Sequence, residues 1–151
     1  ELQLPFIKYF FSDVKIVAMG VPPKLQSLEI GKTVVAIANR MGLTVNVIGS
    51  TDLTHYGYNY GFVTKGTGSQ ALDWVRNEND RRVIDSMLAM DPEKVIAEGL
   101  SNQNACCAGA AATAIETAKN LGADQADQIA YATSYDKSPG DSFVGYVGIV
   151  F

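Results

Sequence analysis

The sequence predicts an α/β domain, a mostly parallel sheet flanked by helices with a β-hairpin at its C-terminal end. Two observations carry this. Residues 14–21 and 43–48 are short apolar runs rich in β-branched side chains, and a helical pattern separates them. That order implies a right-handed crossover between two parallel strands. The chain then closes on two further strand-like runs, 128–135 and 143–151, with Asp136-Lys137-Ser138-Pro139-Gly140-Asp141 as the turn between them. At 151 residues the chain is long enough for one cored domain.

The elements follow in order. The chain opens on Glu1-Leu2-Gln3-Leu4-Pro5-Phe6, without a starting Met or a disordered tail, which predicts a fragment of a larger domain. The first strand is stopped by Gly20 and the Pro22-Pro23 pair. Ser27 then caps a helix whose apolar positions Leu28, Ile30, Val34, Val35, Ile37, Ala38 and Met41 recur at helical spacing, and Gly42 ends it. Residues 56–68 are too glycine-rich for a helix and too aromatic for a passive linker, so they form an ordered loop. Residues 71–90 are mostly helical, with a break expected near 77–80. There Val83, Ile84, Met87 and Leu88 face inward, while Arg76, Glu78, Asp80, Arg81, Arg82 and Asp85 face water. Asp91-Pro92-Glu93 reads as N-cap, first turn and acidic complement of a helix running to about Glu98, before Gly99. Residues 108–121 form an alanine-rich helix ended by Gly122.

Charge excludes several functions. Twelve Lys and Arg against sixteen Asp and Glu give a net charge of −4, with no basic stripe to meet a phosphate backbone, so nucleic acid is not an expected partner. No apolar run approaches the ~20 residues of a membrane span, and the first segment lacks the charged start and cleavage site of a signal peptide. The expected setting is cytoplasmic. Cys106 and Cys107 are adjacent, an arrangement that rarely meets disulfide geometry, and read as free thiols.

Chemistry concentrates where the second strand ends, at Ser50-Thr51-Asp52-Leu53-Thr54-His55-Tyr56-Gly57, because α/β sheets bind ligands beyond the carboxyl ends of their strands. His55 is the only histidine. Asp52 and His55 read as an acid/base pair, the carboxylate fixing the tautomer, or as a turn cap beside a half-buried ring. Cys106 and Cys107 precede the alanine-rich helix, where free N–H groups favour a thiolate that ligates a metal or attacks an electrophile; the alternative is two small residues packed at a helix start. No CxxC or HxxxH spacing converges ligands on one ion, so the chain supplies at most part of a metal site. Thr64-Lys65-Gly66-Thr67-Gly68 lacks the ending of a phosphate loop. Tyr56, Tyr58 and Tyr60 alternate, either facing a ligand or covering the core, and Asp141 and Ser142 are within reach of the same pocket or form a polar hairpin tip.

Five motifs, in order along the whole chain, resemble the second half of the Memo family, the B component of AmmeMemoRadiSam systems. They are Glu1-Leu2-Gln3-Leu4-Pro5-Phe6, the residue 50–57 turn, Cys106 before a glycine-containing helix start, Ala118-Lys119-Asn120-Leu121-Gly122-Ala123, and Gly140-Asp141-Ser142 leading to Val144-Gly145-Tyr146. The resemblance implies a fold similar to class III extradiol dioxygenases, with residues 1–151 as the C-terminal part of a single Memo-like domain. It implies a non-haem iron or copper site, with Cys106 as ligand, Asp52 and His55 as acid/base groups beside it, and Tyr56, Tyr60, Asp141 and Ser142 around the pocket. The remaining ligands, two histidines, are expected from the N-terminal half, and this part alone is not expected to hold the metal. Cys107 stands where the family usually has glycine, which leaves open which thiol is the ligand. The family presents cysteine where the dioxygenases present a carboxylate, so ring cleavage does not follow. Implied partners are a small molecule or peptide and, functionally, radical SAM proteins. The same resemblance admits a non-catalytic adaptor that holds a peptide at Tyr56 and Tyr60.

Overall fold

The computed structural model describes residues 3–151, so Glu1 and Leu2 of the opening motif lie outside the described residues. Its helices are α1 (Leu4–Phe10), α2 (Leu28–Met41), α3 (Ser69–Trp74), α4 (Asp80–Leu88), α5 (Pro92–Asn102) and α6 (Ala108–Leu121). Its strands are β1 (His55–Tyr56), β2 (Asp127–Thr133) and β3 (Phe143–Val150).

Helix α6 is the hub. Ala108, Ala111, Ala112, Ala114 and Ala118 are all buried, and this small-residue surface lets α2 and α5 approach closely from two sides. On α2 the contact is Gly31, where a methyl group would lie 2.8 Å from Thr117 Oγ1. On α5 it is Gly99, where a methyl would lie 2.5 Å from the Ala108 methyl. Gly99 therefore serves helix packing, and α5 runs past it to Asn102 rather than ending at Glu98. Asp91 caps α5 by accepting the Lys94 N–H at 3.0 Å. Gly42 ends α2 in the left-handed region at φ 63°, but Ser27 makes no side-chain cap and instead donates to the Pro22 carbonyl at 2.7 Å.

The parallel sheet is the part of the expected architecture that the described residues do not contain. They form a small antiparallel sheet in the order β1-β3-β2, with the expected hairpin as β2 and β3. Residues 14–21 and 43–48 pair with no strand among the described residues. Apolar, β-branched composition makes a segment suitable for a sheet, but a strand also needs a neighbour for its N–H and C=O groups. Here the second run lies on α6, with Gly49 seated over Ala114, and exposes Val47 and Ile48. An open groove of about 710 Å³ separates it from the end of β3, lined by Asn46, Val47, Ile48, Thr51, Val147 and Ile149 among others.

Two buried clusters position the site. The larger packs Leu53, Val83, Ile84, Val95, Ile96 and Ile115. The smaller packs Tyr56, Leu72, Val75 and Phe143, with Phe62 and Trp74 against it. Leu53 and Tyr56 thus anchor opposite ends of one short segment, with Thr54 and His55 between. The break expected near 77–80 is a π-turn over Val75–Asn79 joining α3 to α4.

Just after β1, Gly57 has φ +111°, and a Cβ added to it would lie 2.2 Å from the Asp141 carbonyl oxygen and 2.5 Å from Ser142 Cα. A Cβ there meets both an unfavourable dihedral and main-chain atoms that cannot rotate away. Gly57→Ala is expected to lose about 2–4 kcal/mol, read as a lower urea midpoint at an unchanged slope.

Candidate metal centre

The segment carrying His55 is held by the edge of β3 on one side and by a buried carboxylate on the other. Leu53 N–H donates to Gly145 C=O at 2.9 Å and Gly145 N–H to Thr54 C=O at 3.0 Å, which sets His55 opposite Val144 and Tyr56 opposite Phe143. Thr54 is fully buried and gives both donors, N–H at 3.0 Å and its hydroxyl, to Asp80 Oδ1. Tyr131 donates its hydroxyl to Asp80 Oδ2 at 2.7 Å.

Asp80 was expected to face water. The π-turn is what overturns this, because one extra residue in a turn rotates the following positions about the helix axis and brings both Asn79 and Asp80 inward. Burial raises the Asp80 carboxyl above its ordinary range, against the opposing effect of its hydrogen bonds from Thr54 and Tyr131. Asn79 donates to Thr54 Oγ1 at 3.0 Å, and Asn104 donates to the Asn79 carbonyl at 2.9 Å. A continuous buried polar chain therefore ties the His55 segment to the loop that carries Cys106.

That loop closes directly on the residue 50–57 turn. Cys106 N–H donates to Asp52 C=O at 3.1 Å, and Asp52 N–H points back to Cys106 Sγ at 3.3 Å. Thr51 Oγ1 accepts the Cys107 N–H at 2.9 Å. The two segments are some fifty residues apart in sequence, which is why spacing rules for metal ligands could not register their convergence.

The outcome is one oxygen, one nitrogen and one sulfur donor, from Asp52, His55 and Cys106, all within 4.8 Å of one another. His55 Nε2 and Asp52 Oδ2 are 3.3 Å apart. That separation serves a hydrogen bond, and it also matches the ~3.3 Å edge between two ligands bound tetrahedrally at ~2.0–2.1 Å. Imidazole, carboxylate and thiolate together suit a transition metal rather than calcium or magnesium. The site faces outward, with the His55 and Asp52 side chains 36% and 46% exposed.

The other expected site residues divide. Tyr60 lies beside His55, ring centroids 4.9 Å apart, and is partly exposed. Tyr56 is not brought to the site: successive strand residues point to opposite faces, and its ring is fully buried, stacked on Phe143 at 5.4 Å. Its hydroxyl donates to Gly66 C=O at 2.9 Å and accepts the Lys65 N–H at 2.8 Å, which orders the glycine-rich loop. Ser142 accepts the Asn59 N–H at 3.1 Å, and it and Asp141 abut Gly57 through their backbones. Two residues were missed. Thr51 organises both cysteines, and Tyr146 on β3 faces the site, its hydroxyl pushed up by burial and by the Asp52 charge. The placement of Tyr146 follows from the pairing of β3 with the His55 strand, which no local pattern in the sequence announces.

Burial likewise raises the Cys107 thiol, with Cys106 adding to the effect. Among the described residues no helix is long and apolar enough to cross a membrane.

Comparison with known proteins agrees with the motif order. A family model described as "Memo-like protein" matches residues 1–150. A MEMO1 family protein of Pyrococcus furiosus is 35% identical over 158 residues, covering 99% of this chain and 54% of the relative. One of Thermococcus onnurineus is 35% identical over 159 residues, covering 100% and 55%. One of Archaeoglobus fulgidus is 31% identical over 154 residues, covering 100% and 53%. The chain spans about half the length of the curated relatives it matches. It belongs to the Memo-like protein family.

Proposed function

We propose that the chain is the C-terminal part of a single Memo-like domain with a dioxygenase-like fold, and that it contributes Asp52, His55 and Cys106 to an iron or copper centre. The observation that supports this is the convergence of three chemically different donors from two distant segments within 4.8 Å. The remaining ligands come from the rest of the longer protein, which also covers the groove beside residues 46–51. A bound ion supplies Lewis-acid or redox chemistry. Cys106 supplies the soft donor. His55 and Asp52 hold and move a proton at Nε2 when that nitrogen is not engaged by the ion, and Tyr60 and Tyr146 flank the space where a small molecule or peptide docks. In this reading the protein acts in the cytoplasm alongside radical SAM proteins.

A second reading, a peptide-binding adaptor, is favoured by the exposure of Tyr58, at 71%, next to the half-exposed Tyr60. Metal affinity separates the two. Full-length protein purified without oxygen and titrated with Fe²⁺ or Cu⁺ is expected to bind one ion per molecule, and Cys106→Ala to weaken that binding by about 10–100-fold or more. Equal affinity in wild type and Cys106→Ala would remove the metal reading and leave the adaptor.

A further inference from the structure

We propose that Cys106 and Cys107 form a chelating dithiol at the edge of the centre, with Cys106 shared between the two, so that a thiophilic cation such as Cu⁺ or Zn²⁺ is held through two sulfurs rather than one. The inference rests on the metal-centre reading for the roles of Asp52 and His55, but the dithiol itself stands on separate geometry. The two Sγ atoms are 3.8 Å apart and both cysteines are exposed. Two thiolates bound tetrahedrally to one ion at ~2.3 Å per bond lie ~3.8 Å from each other. The structure therefore already has the sulfur–sulfur edge of a chelate.

The competing use of two neighbouring thiols is a disulfide, and the backbone opposes it. Consecutive Cα atoms across a trans peptide lie ~3.8 Å apart, shorter than the ~4.4–6.8 Å that a relaxed disulfide spans. No cis peptide occurs among the described residues. Thr51 reinforces the chelating arrangement: its hydroxyl oxygen accepts the Cys107 N–H at 2.9 Å and sits 3.8 Å from Cys106 Sγ, fixing the peptide that joins the pair. Asp52 N–H, 3.3 Å from Cys106 Sγ, is a donor to a thiolate there. Cys106 Sγ is shared between this pair and the imidazole and carboxylate of the centre, and a second sulfur beside it shifts the preference toward soft cations, since thiolates select zinc and copper(I) over harder ions.

The experiment uses two probes on wild type, Cys106→Ser, Cys107→Ser and His55→Ala. The first is phenylarsonous acid, followed by intact mass. Two arsenic–oxygen bonds break, two arsenic–sulfur bonds form and two waters leave, with arsenic trivalent throughout, so only a dithiol retains the adduct. Wild type and His55→Ala are expected to carry one arsenical, and neither cysteine variant any. The second is Cd²⁺, followed by its thiolate charge-transfer absorption. Cys107→Ser is expected to show about half the band and about 100-fold weaker binding, because the second sulfur otherwise binds as an intramolecular event. An adduct retained by Cys107→Ser, or an unchanged cadmium band, overturns the dithiol. Cadmium affinity that is equal in His55→Ala and wild type overturns the shared metal centre while leaving the dithiol intact. Loss of binding in Cys106→Ser and His55→Ala with none in Cys107→Ser supports the centre and overturns the dithiol.

Discussion

Asp80→Ala is expected to remove about 3–5 kcal/mol of stability, a large part of the ~5–15 kcal/mol available to a domain of this kind. The carboxylate accepts the Thr54 N–H, the Thr54 hydroxyl and the Tyr131 hydroxyl. Truncation leaves these three donors without their acceptor, two of them on a residue with no solvent exposure, at ~1–3 kcal/mol for each donor left unsatisfied. Asp80→Asn keeps an acceptor for Thr54 and is expected to lose far less. The two variants also differ in pH dependence. Burial raises the folded-state value for Asp80, so its favourable contribution is full below the ordinary carboxylate range and is lost as pH rises through the raised value. Asp80→Asn is expected to flatten that part of the stability profile. Urea unfolding across the acid range measures both effects. A drop under 1 kcal/mol for Asp80→Ala would mean that water replaces the carboxylate and that Thr54 is not held by it.

What the sequence made legible depended on how local the cause was. Helices α2, α5 and α6 followed from apolar spacing, Pro92 and the terminal glycines, and the hairpin from its turn residues, all within reach of a short window. Strand pairing is not local. Residues 14–21 and 43–48 have strand composition, but a ladder of strand hydrogen bonds needs a neighbouring strand, and none of the described residues provides one. The site shows the same division. Asp52 and His55 were visible three residues apart in a polar turn after an apolar run, and Cys106 stood out beside a helix start. Their approach to one another, the inward turn of Asp80 and the position of Tyr146 depend on a π-turn and on long-range contacts, neither of which has a periodic signature.

Tyr56→Ala is the second substitution with a large expected effect, about 3–5 kcal/mol, and its consequences extend to His55. The ring is fully buried between Phe143, Phe62 and Trp74, so truncation opens a cavity in the smaller core cluster. The hydroxyl contributes separately, holding Lys65 and Gly66, and Tyr56→Phe is expected to lose only about 1–2 kcal/mol while loosening the glycine-rich loop. Because adjacent strand residues face opposite sides, the buried ring of Tyr56 is what commits His55 to the outward face beside Asp52. Tyr56→Phe keeps that commitment and should retain metal affinity close to wild type. Tyr56→Ala releases it, and metal affinity should fall together with stability even where the variant is still folded. Denaturation midpoints paired with cadmium titrations distinguish the two roles. Undiminished affinity in folded Tyr56→Ala would assign the placement of His55 to the β3 pairing and to Thr54 alone, with Tyr56 a packing residue for the loop.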